Sequence, residues 1–333
     1  MFSLAMFSSM NHKEQAMKCY RLAKLWASFD NIEEAMSSCK IAFMHDPFFY
    51  PSSTFHGFLC AKEGQWNKAK EHFQVAHSLA KNSPVEAFNL ANAYFQSTPR
   101  ELDKALECYN KALALYHQHS QQFELIICPI DKIKEIDPRK KKSGVMVLIK
   151  MQSADEWRLV QFDEDYLKID SEYMEAAPID EIPTLQTLLD SHKNVELDKL
   201  RESDVAALTR PIKTWLENKD IPVLQNRAIL FLELKDYEAA LKDFEVIHEK
   251  LSVLATNPAG LIYITKEIAQ TRQKLDEKQA EDRKEEHKDV KTELTGESRF
   301  FTAEKRQRED PPDKDDSDAD KRSRASGSFH FSV

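Results

Sequence analysis

The run Gly57-Phe58-Leu59-Cys60-Ala61-Lys62-Glu63-Gly64-Gln65-Trp66, followed by Ala69, Phe73 and Ala76, decides the fold. Small residues stand where two helices must approach closely, and larger ones fill the space between. Gly64 supplies the turn without a Cβ penalty. The same pattern lies on both sides. Upstream it reads Leu22-Ala23, Trp26, Asp30-Asn31-Ile32-Glu33-Glu34-Ala35, Cys39, Ala42 and Pro47, with Leu22, Trp26 and Ile32 as the space-filling residues. Asp30-Asn31 marks its turn and Pro47 stops its second helix. Downstream it reads Leu90-Ala91, Tyr94, Leu102, Ala105, Tyr109 and Ala112. Ala35 and Ala69 are 34 positions apart, as are Gly57 and Ala91, which is the period of a helix-turn-helix repeat. From Ala69 to Ala105 the interval is 36. The two extra residues fall in the turn at Ser97-Thr98-Pro99-Arg100, where an insertion lengthens a loop and leaves both helix faces intact.

A fourth unit follows far downstream: Asn226-Arg227-Ala228, Phe231, then Leu234-Lys235-Asp236-Tyr237-Glu238-Ala239-Ala240-Leu241-Lys242-Asp243-Phe244. This stretch, with the three before it, resembles the tetratricopeptide-repeat superfamily over roughly Ala16 to Gln118 and Ile221 to Lys274. The resemblance implies a mostly α fold: a tetratricopeptide-like helix-turn-helix array, or α-solenoid, that binds protein segments and is not an enzyme. To this the sequence adds a β-hairpin insert and a disordered, charged C-terminal tail.

Bulk properties agree. Six glycines in 333 residues, where average usage of ~7% would give about two dozen, argue against phosphate-cradling loops and many-turned β architectures. A net charge of −9 argues against nucleic acid as partner of the folded part, since phosphate neutralisation needs a basic face. No run approaches the ~20 apolar residues that span a bilayer, so no membrane is expected. The N-terminus lacks the basic region of a signal peptide. Five scattered cysteines without a C-x-x-C pair read as free thiols in a reducing compartment, and the expected location is cytoplasmic, nuclear or both.

The expected organisation is an array of about three repeats over 1–122, a linker with a basic run over 123–142 and a β-hairpin insert over 143–175. A helical subdomain over 176–279, with the fourth repeat and a capping helix, precedes a disordered tail over 280–333. The hairpin rests on two β-rich runs, Gly144 to Met151 and Glu156 to Phe162, with Gln152 to Asp155 as the turn. The opening helix is expected at about Lys13 to Ala27, and Ser203-Asp204 as an N-cap region. Pro211 is expected to start a helix, and a further helix from Ala259 to Lys284 carries Leu261, Ile264, Ile268, Thr271 and Leu275 on one stripe.

The resemblance also implies a binding face, the inner side of each first helix. It maps to Tyr20 and Lys24; to Thr54, Phe58 and Lys62; and to Phe88, Asn89, Asn92 and Phe95. Aromatic anchors and backbone-binding asparagines suit a peptide or helix in a groove, and the opposing expectation is that the aromatics pack against the neighbouring repeat. Hsp70/Hsp90-tail receptors of this family clamp a terminal carboxylate with lysines, asparagines and an arginine. Here only Asn89, Asn92 and Asn226 echo that clamp, and Phe88 stands where a lysine is needed, so a co-chaperone is the weaker alternative. An enzyme or regulatory subunit with a site near 143–220 is the other, although no nucleophile, phosphate-loop or zinc-protease motif occurs. No cofactor is implied, and His117 and His119 have no ligand-spaced companion for a metal. Arg139 to Lys142 and Lys305 to Arg308 have the composition of import signals. Ser317 and Ser326 resemble acidophilic and basophilic phosphosites, and the terminal Phe331-Ser332-Val333 fits a PDZ groove.

Overall fold

A computed structural model describes residues 2–129, 145–150, 157–161, 176–177, 182–191, 200–254 and 258–296. The chain forms two compact units, one reaching to Leu230 and the other starting at Phe231.

Three helix pairs open the first unit: α1 (Phe2–Ser28) with α2 (Ile32–His45), α3 (Tyr50–Lys62) with α4 (Trp66–Leu79), and α5 (Pro84–Gln96) with α6 (Leu102–Gln121). The small residues of the repeat explain the pairing. Ala23, Ala35, Ala69, Ala91 and Ala105 have no solvent exposure. A Cβ built on Gly57 would lie 2.8 Å from the Phe73 ring, so α3 and α4 meet at a distance that larger residues forbid. Four residues after each second-helix alanine comes a buried larger side chain, Cys39, Phe73 or Tyr109.

The turns repeat as well. In the first pair Asn31 N–H donates to Trp26 O at 3.0 Å and Asp30 N–H to Ala27 O at 3.0 Å. In the second, Gln65 N–H reaches Cys60 O at 2.8 Å and Gly64 N–H reaches Ala61 O at 2.9 Å. These are nested Schellman bonds, which require a left-handed residue: Asp30 has φ 60° and Gly64 φ 71°. The third turn holds the two-residue insertion and closes differently, with Glu101 N–H on Tyr94 O at 3.1 Å. Helix α5 starts cleanly because the Ser83 hydroxyl accepts from Glu86 N–H and Pro84 occupies the first turn.

After α6 the chain builds a small α/β layer. Strands β1 (Glu124–Pro129), β2 (Val145–Lys150), β3 (Trp157–Gln161) and β4 (Ala176–Ala177) form one sheet in that order. The expected hairpin is the antiparallel β2–β3 pair, with Leu148 opposite Leu159; its turn lies outside the described residues. The sheet is larger than a hairpin, because the apolar patch at Phe123 to Cys128 is no linker. It is a strand that pairs in parallel with β2, Ile126 opposite Val147.

Helices α7 (Pro183–Ser191) and α8 (Glu202–Glu217) bring Leu185, Leu189, Leu208, Ile212 and Leu216 into one core with Met146, Leu148, Trp157 and Leu159. Two expectations fail in α8. It runs straight through Pro211, because Leu208, Ile212 and Leu216 lie at successive turns of one buried stripe and hold both halves together. Its N-cap is Arg201, whose backbone N–H is bonded by the Asp204 carboxylate at 3.0 Å. Helix α8 also packs on α6.

Helix α9 (Ile221–Glu233) follows; in its first-unit part Ala228 takes the place of Ala91 and is fully buried. In the second unit the Schellman pattern returns, Asp236 N–H on Phe231 O at 2.9 Å with Lys235 at φ 58°. There α10 (Tyr237–Leu254) packs with α11 (Pro258–Gly296). Ile264 and Thr271 of the expected stripe are buried. Two ends are longer than the sequence suggests: α1 begins at Phe2, and α11 continues to Gly296, through residues expected to be disordered. The continuation is rich in Glu and Lys, which lose little side-chain freedom in a helix, and the helix's side chains from Asp276 to Glu285 are exposed.

Candidate interaction surface

The expected inner face divides into hidden and open residues. On α1, Tyr20 is buried, its ring edge-on to Phe49 at 5.6 Å and to Phe55 at 5.9 Å. Lys24 stays exposed, its ammonium 5.4 Å from the Tyr20 ring centre. On α3, Thr54 is buried and donates to Glu86 Oε1 at 2.8 Å. Phe58 is half-buried and stacks on Phe55. Lys62 is exposed and pairs with Asp30 at 2.7 Å, a contact worth little in solvent. On α5, Phe88 is 0% exposed beside Tyr109, and Asn89, Asn92 and Phe95 are buried. The Arg100 guanidinium sits 5.3 Å from the Phe95 ring centre.

The expectation of exposed aromatic anchors is therefore corrected for Tyr20, Phe88 and Phe95, which pack inside the array. Asn226 and Asn92, read as echoes of a carboxylate clamp, do meet, but as an internal joint. Asn92 Oδ1 accepts the Tyr109 hydroxyl at 2.6 Å and the Asn226 amide at 2.8 Å. Both asparagines are fully buried. Burial pushes the Tyr109 phenol well above its usual pKa, opposed in part by a hydrogen bond from Asn226, so the phenol stays a donor. Arg227 adds an exposed bond to Asn110. Helix α9 is thus stitched to the third pair across the whole inserted layer, and no carboxylate can enter there.

Within the first unit, most of the exposed large apolar residues lie elsewhere, on and just after the first pair. Leu22 and Leu25 on α1 and Phe29 just past its end follow helical spacing, about half a turn from the face that buries Ala16, Tyr20 and Ala23. Phe29 is 66% exposed, Met44 80% and Phe48 78%. Sequence reasoning placed Leu22 between the helices, and it is exposed. The signal for this stripe was present in the i, i+3, i+7 spacing, but a second, stronger stripe on the same helix concealed it.

The two histidines singled out in the sequence do not converge. His117 is exposed and His119 buried, so they leave α6 in different directions. All five cysteines are free thiols. Burial pushes Cys39 up to about 12 and Cys108 up to about 11, which leaves them protonated and poor nucleophiles at neutral pH. No helix among the described residues is long and apolar enough to cross a membrane. The basic runs at 139–142 and 305–308, Ser317, Ser326 and the terminal tripeptide lie outside the described residues.

These features define a helical-repeat protein, built from helix pairs that share one set of small contact residues and, except at the third pair, one turn. The repeat is tetratricopeptide-like. No family model matches the sequence, and none of the curated proteins is significantly similar to it. Among solved structures, MamA covers 70% of this chain and 96% of its own at 13% identity and a TM-score of 0.29. YrrB, described as a tetratricopeptide-repeat protein with an unusual peptide-binding site, covers 77% and 93% at 12% identity and 0.30. TTC0263, a tetratricopeptide-repeat protein of Thermus thermophilus, covers 78% and 99% at 12% identity and 0.30. Likeness this loose ties the chain to none of them, and the fold assignment stands on the chain's own helix pairs.

Proposed function

We propose that the chain is a non-catalytic protein-interaction scaffold that binds an acidic amphipathic helix on the outer face of its first helix pair. The carrying observation is the exposed apolar stripe of Leu22, Leu25 and Phe29, together with the cations beside it. Beside the stripe α1 carries Arg21 and Lys18, the latter paired with Glu14 at 2.6 Å. Exposed large apolar residues grouped on one helix face are the usual mark of a docking surface, and each one covered, about half of its surface being open, contributes roughly 1 kcal/mol before the cost of association. The flanking cations favour an acidic partner and speed its approach. Among the inner-face residues, Lys24, Phe58 and Lys62 keep access to solvent and extend the same basic, apolar character.

The test is fluorescence anisotropy with two synthetic amphipathic helices of leucine, one with glutamate and one with lysine on the polar face. The glutamate helix is expected to bind, to weaken as salt rises, and to weaken at least about tenfold with Leu25→Ser/Phe29→Ser. Equal binding of both peptides, or unchanged binding by the variant, overturns the reading. Concentration-dependent dimerisation that the same variant abolishes also overturns it, since the stripe would then join copies of this chain.

A further inference from the structure

We propose a transition-metal site in the second helix pair, with His56, Cys60 and His72 as ligands for one zinc-class divalent ion. His56 and Cys60 are four residues apart on α3 and so share a face; His72 reaches in from α4. One donor atom from each lies within 4.8 Å of the other two, close enough for small side-chain rotations to bring all three onto one ion. The two imidazoles stack with centres 3.8 Å apart, so the two helices hold both rings in one small volume next to the thiol.

The repeat itself supplies an independent argument. The positions equivalent to His56, Cys60 and His72 are Leu22, Trp26 and Ser38 in the first pair, and Leu90, Tyr94 and Cys108 in the third. The fold therefore does not ask for histidine or a thiol at these three places. Only in the second pair do all three carry ligand types, and they are the three that the helix packing brings together. Two nitrogens and one thiolate sulfur suit zinc or cobalt(II), and three protein ligands leave a fourth position for water or another donor. Cys60 and His56 are buried while His72 is partly exposed, which gives the ion an entry.

Desolvation on burial, with His72 beside it, lowers His56 to about 3, and burial lowers His72 too. Both rings are then unprotonated at neutral pH, the form that binds metal. The Cys60 thiol, raised by burial, gives up its proton to solvent as the metal–sulfur bond forms, so one proton leaves per ion bound. Lys68 and Lys40 act against that rise and Glu71 adds to it.

The full chain, freed of metal with chelator, is titrated with cobalt(II) and followed by absorption, then competed with zinc. One cobalt per chain is expected, with a thiolate-to-cobalt charge-transfer band and the intense visible bands of four-coordinate cobalt, both displaced by zinc. Cys60→Ser is expected to remove the charge-transfer band. His72→Gln, at a partly exposed position that does not threaten folding, is expected to weaken binding at least about tenfold, the lower bound seen when even outer-shell partners are removed. Cys108→Ser should leave the spectrum unchanged. A cobalt spectrum without thiolate charge transfer overturns the proposal, as does tight binding that survives either ligand substitution in a variant whose circular dichroism is native.

Discussion

Lys24 on α1, Phe58 on α3 and Asn92 on α5 are 34 positions apart and occupy the same place in three successive repeats, yet the first is exposed, the second half-buried and the third wholly buried. Tyr20, Thr54 and Phe88 form a second such series, and all three are buried. A repeat register thus states which way a side chain points but not what lies beyond it. At the first pair the Lys24 position of α1 opens to solvent. At the third, α9 returns after the inserted layer and seals the inner face of α5 with the Asn226 amide. The open end is where we propose that a partner docks, and the closed end ties α9 to the third pair.

The largest way to break this contrast is Asn92→Ala. It strands two buried polar groups, the Tyr109 hydroxyl and the Asn226 amide, each costing about 1–3 kcal/mol. Urea unfolding is expected to show a loss of about 3 kcal/mol, and a loss under about 1 kcal/mol would mean that water repairs the joint. Alkali probes the same joint more gently. The phenol of Tyr109 is raised in the fold, so above about pH 10 the unfolded chain sheds a proton that the folded chain keeps. Stability is therefore full below about pH 10 and falls as pH rises beyond it. Tyr109→Phe should flatten that fall between about pH 10 and 11 in thermal melts, at the cost of a lower melting temperature at about pH 8.

At the open end the effects are smaller. Asp30→Gly relieves a left-handed residue, roughly 1 kcal/mol, and loses an exposed ion pair of little worth. A net gain of about 0.5 kcal/mol is expected by chemical denaturation. Leu25→Ser/Phe29→Ser should change stability least, within about 0.5 kcal/mol, even as it removes peptide binding; a drop of several kcal/mol would show that the stripe is packed after all.

The helix pairs were legible because their signal is local: alanine and glycine at close-approach points, a larger residue such as Phe73 or Tyr109 four positions after the second-helix alanine, and turn residues such as Gly64 in between. The β2–β3 hairpin was legible for the same reason. What escaped was non-local. Strand β1 finds its parallel partner roughly twenty residues away, so Phe123 to Cys128 looked like a boundary patch. Pro211 looked like a helix start because the stripe that carries α8 across it is satisfied by sheet residues. The bond that closes over Asn92 comes from a helix more than a hundred residues downstream. The trio of His56, Cys60 and His72 obeys no linear motif, since its third member comes from the opposing helix.

The joint between Asn92 and Asn226 spans 134 residues, and that separation has a temporal meaning. Synthesis proceeds at about 5–20 residues per second, so after Asn92 leaves the ribosome its partner follows only about 7–27 s later. The first three pairs, whose contacts are short in sequence, can form well within that interval. A nascent chain thus carries a finished stack whose last face still shows Asn92 to solvent, and the inserted layer must fold, or at least stay clear, before α9 can close it.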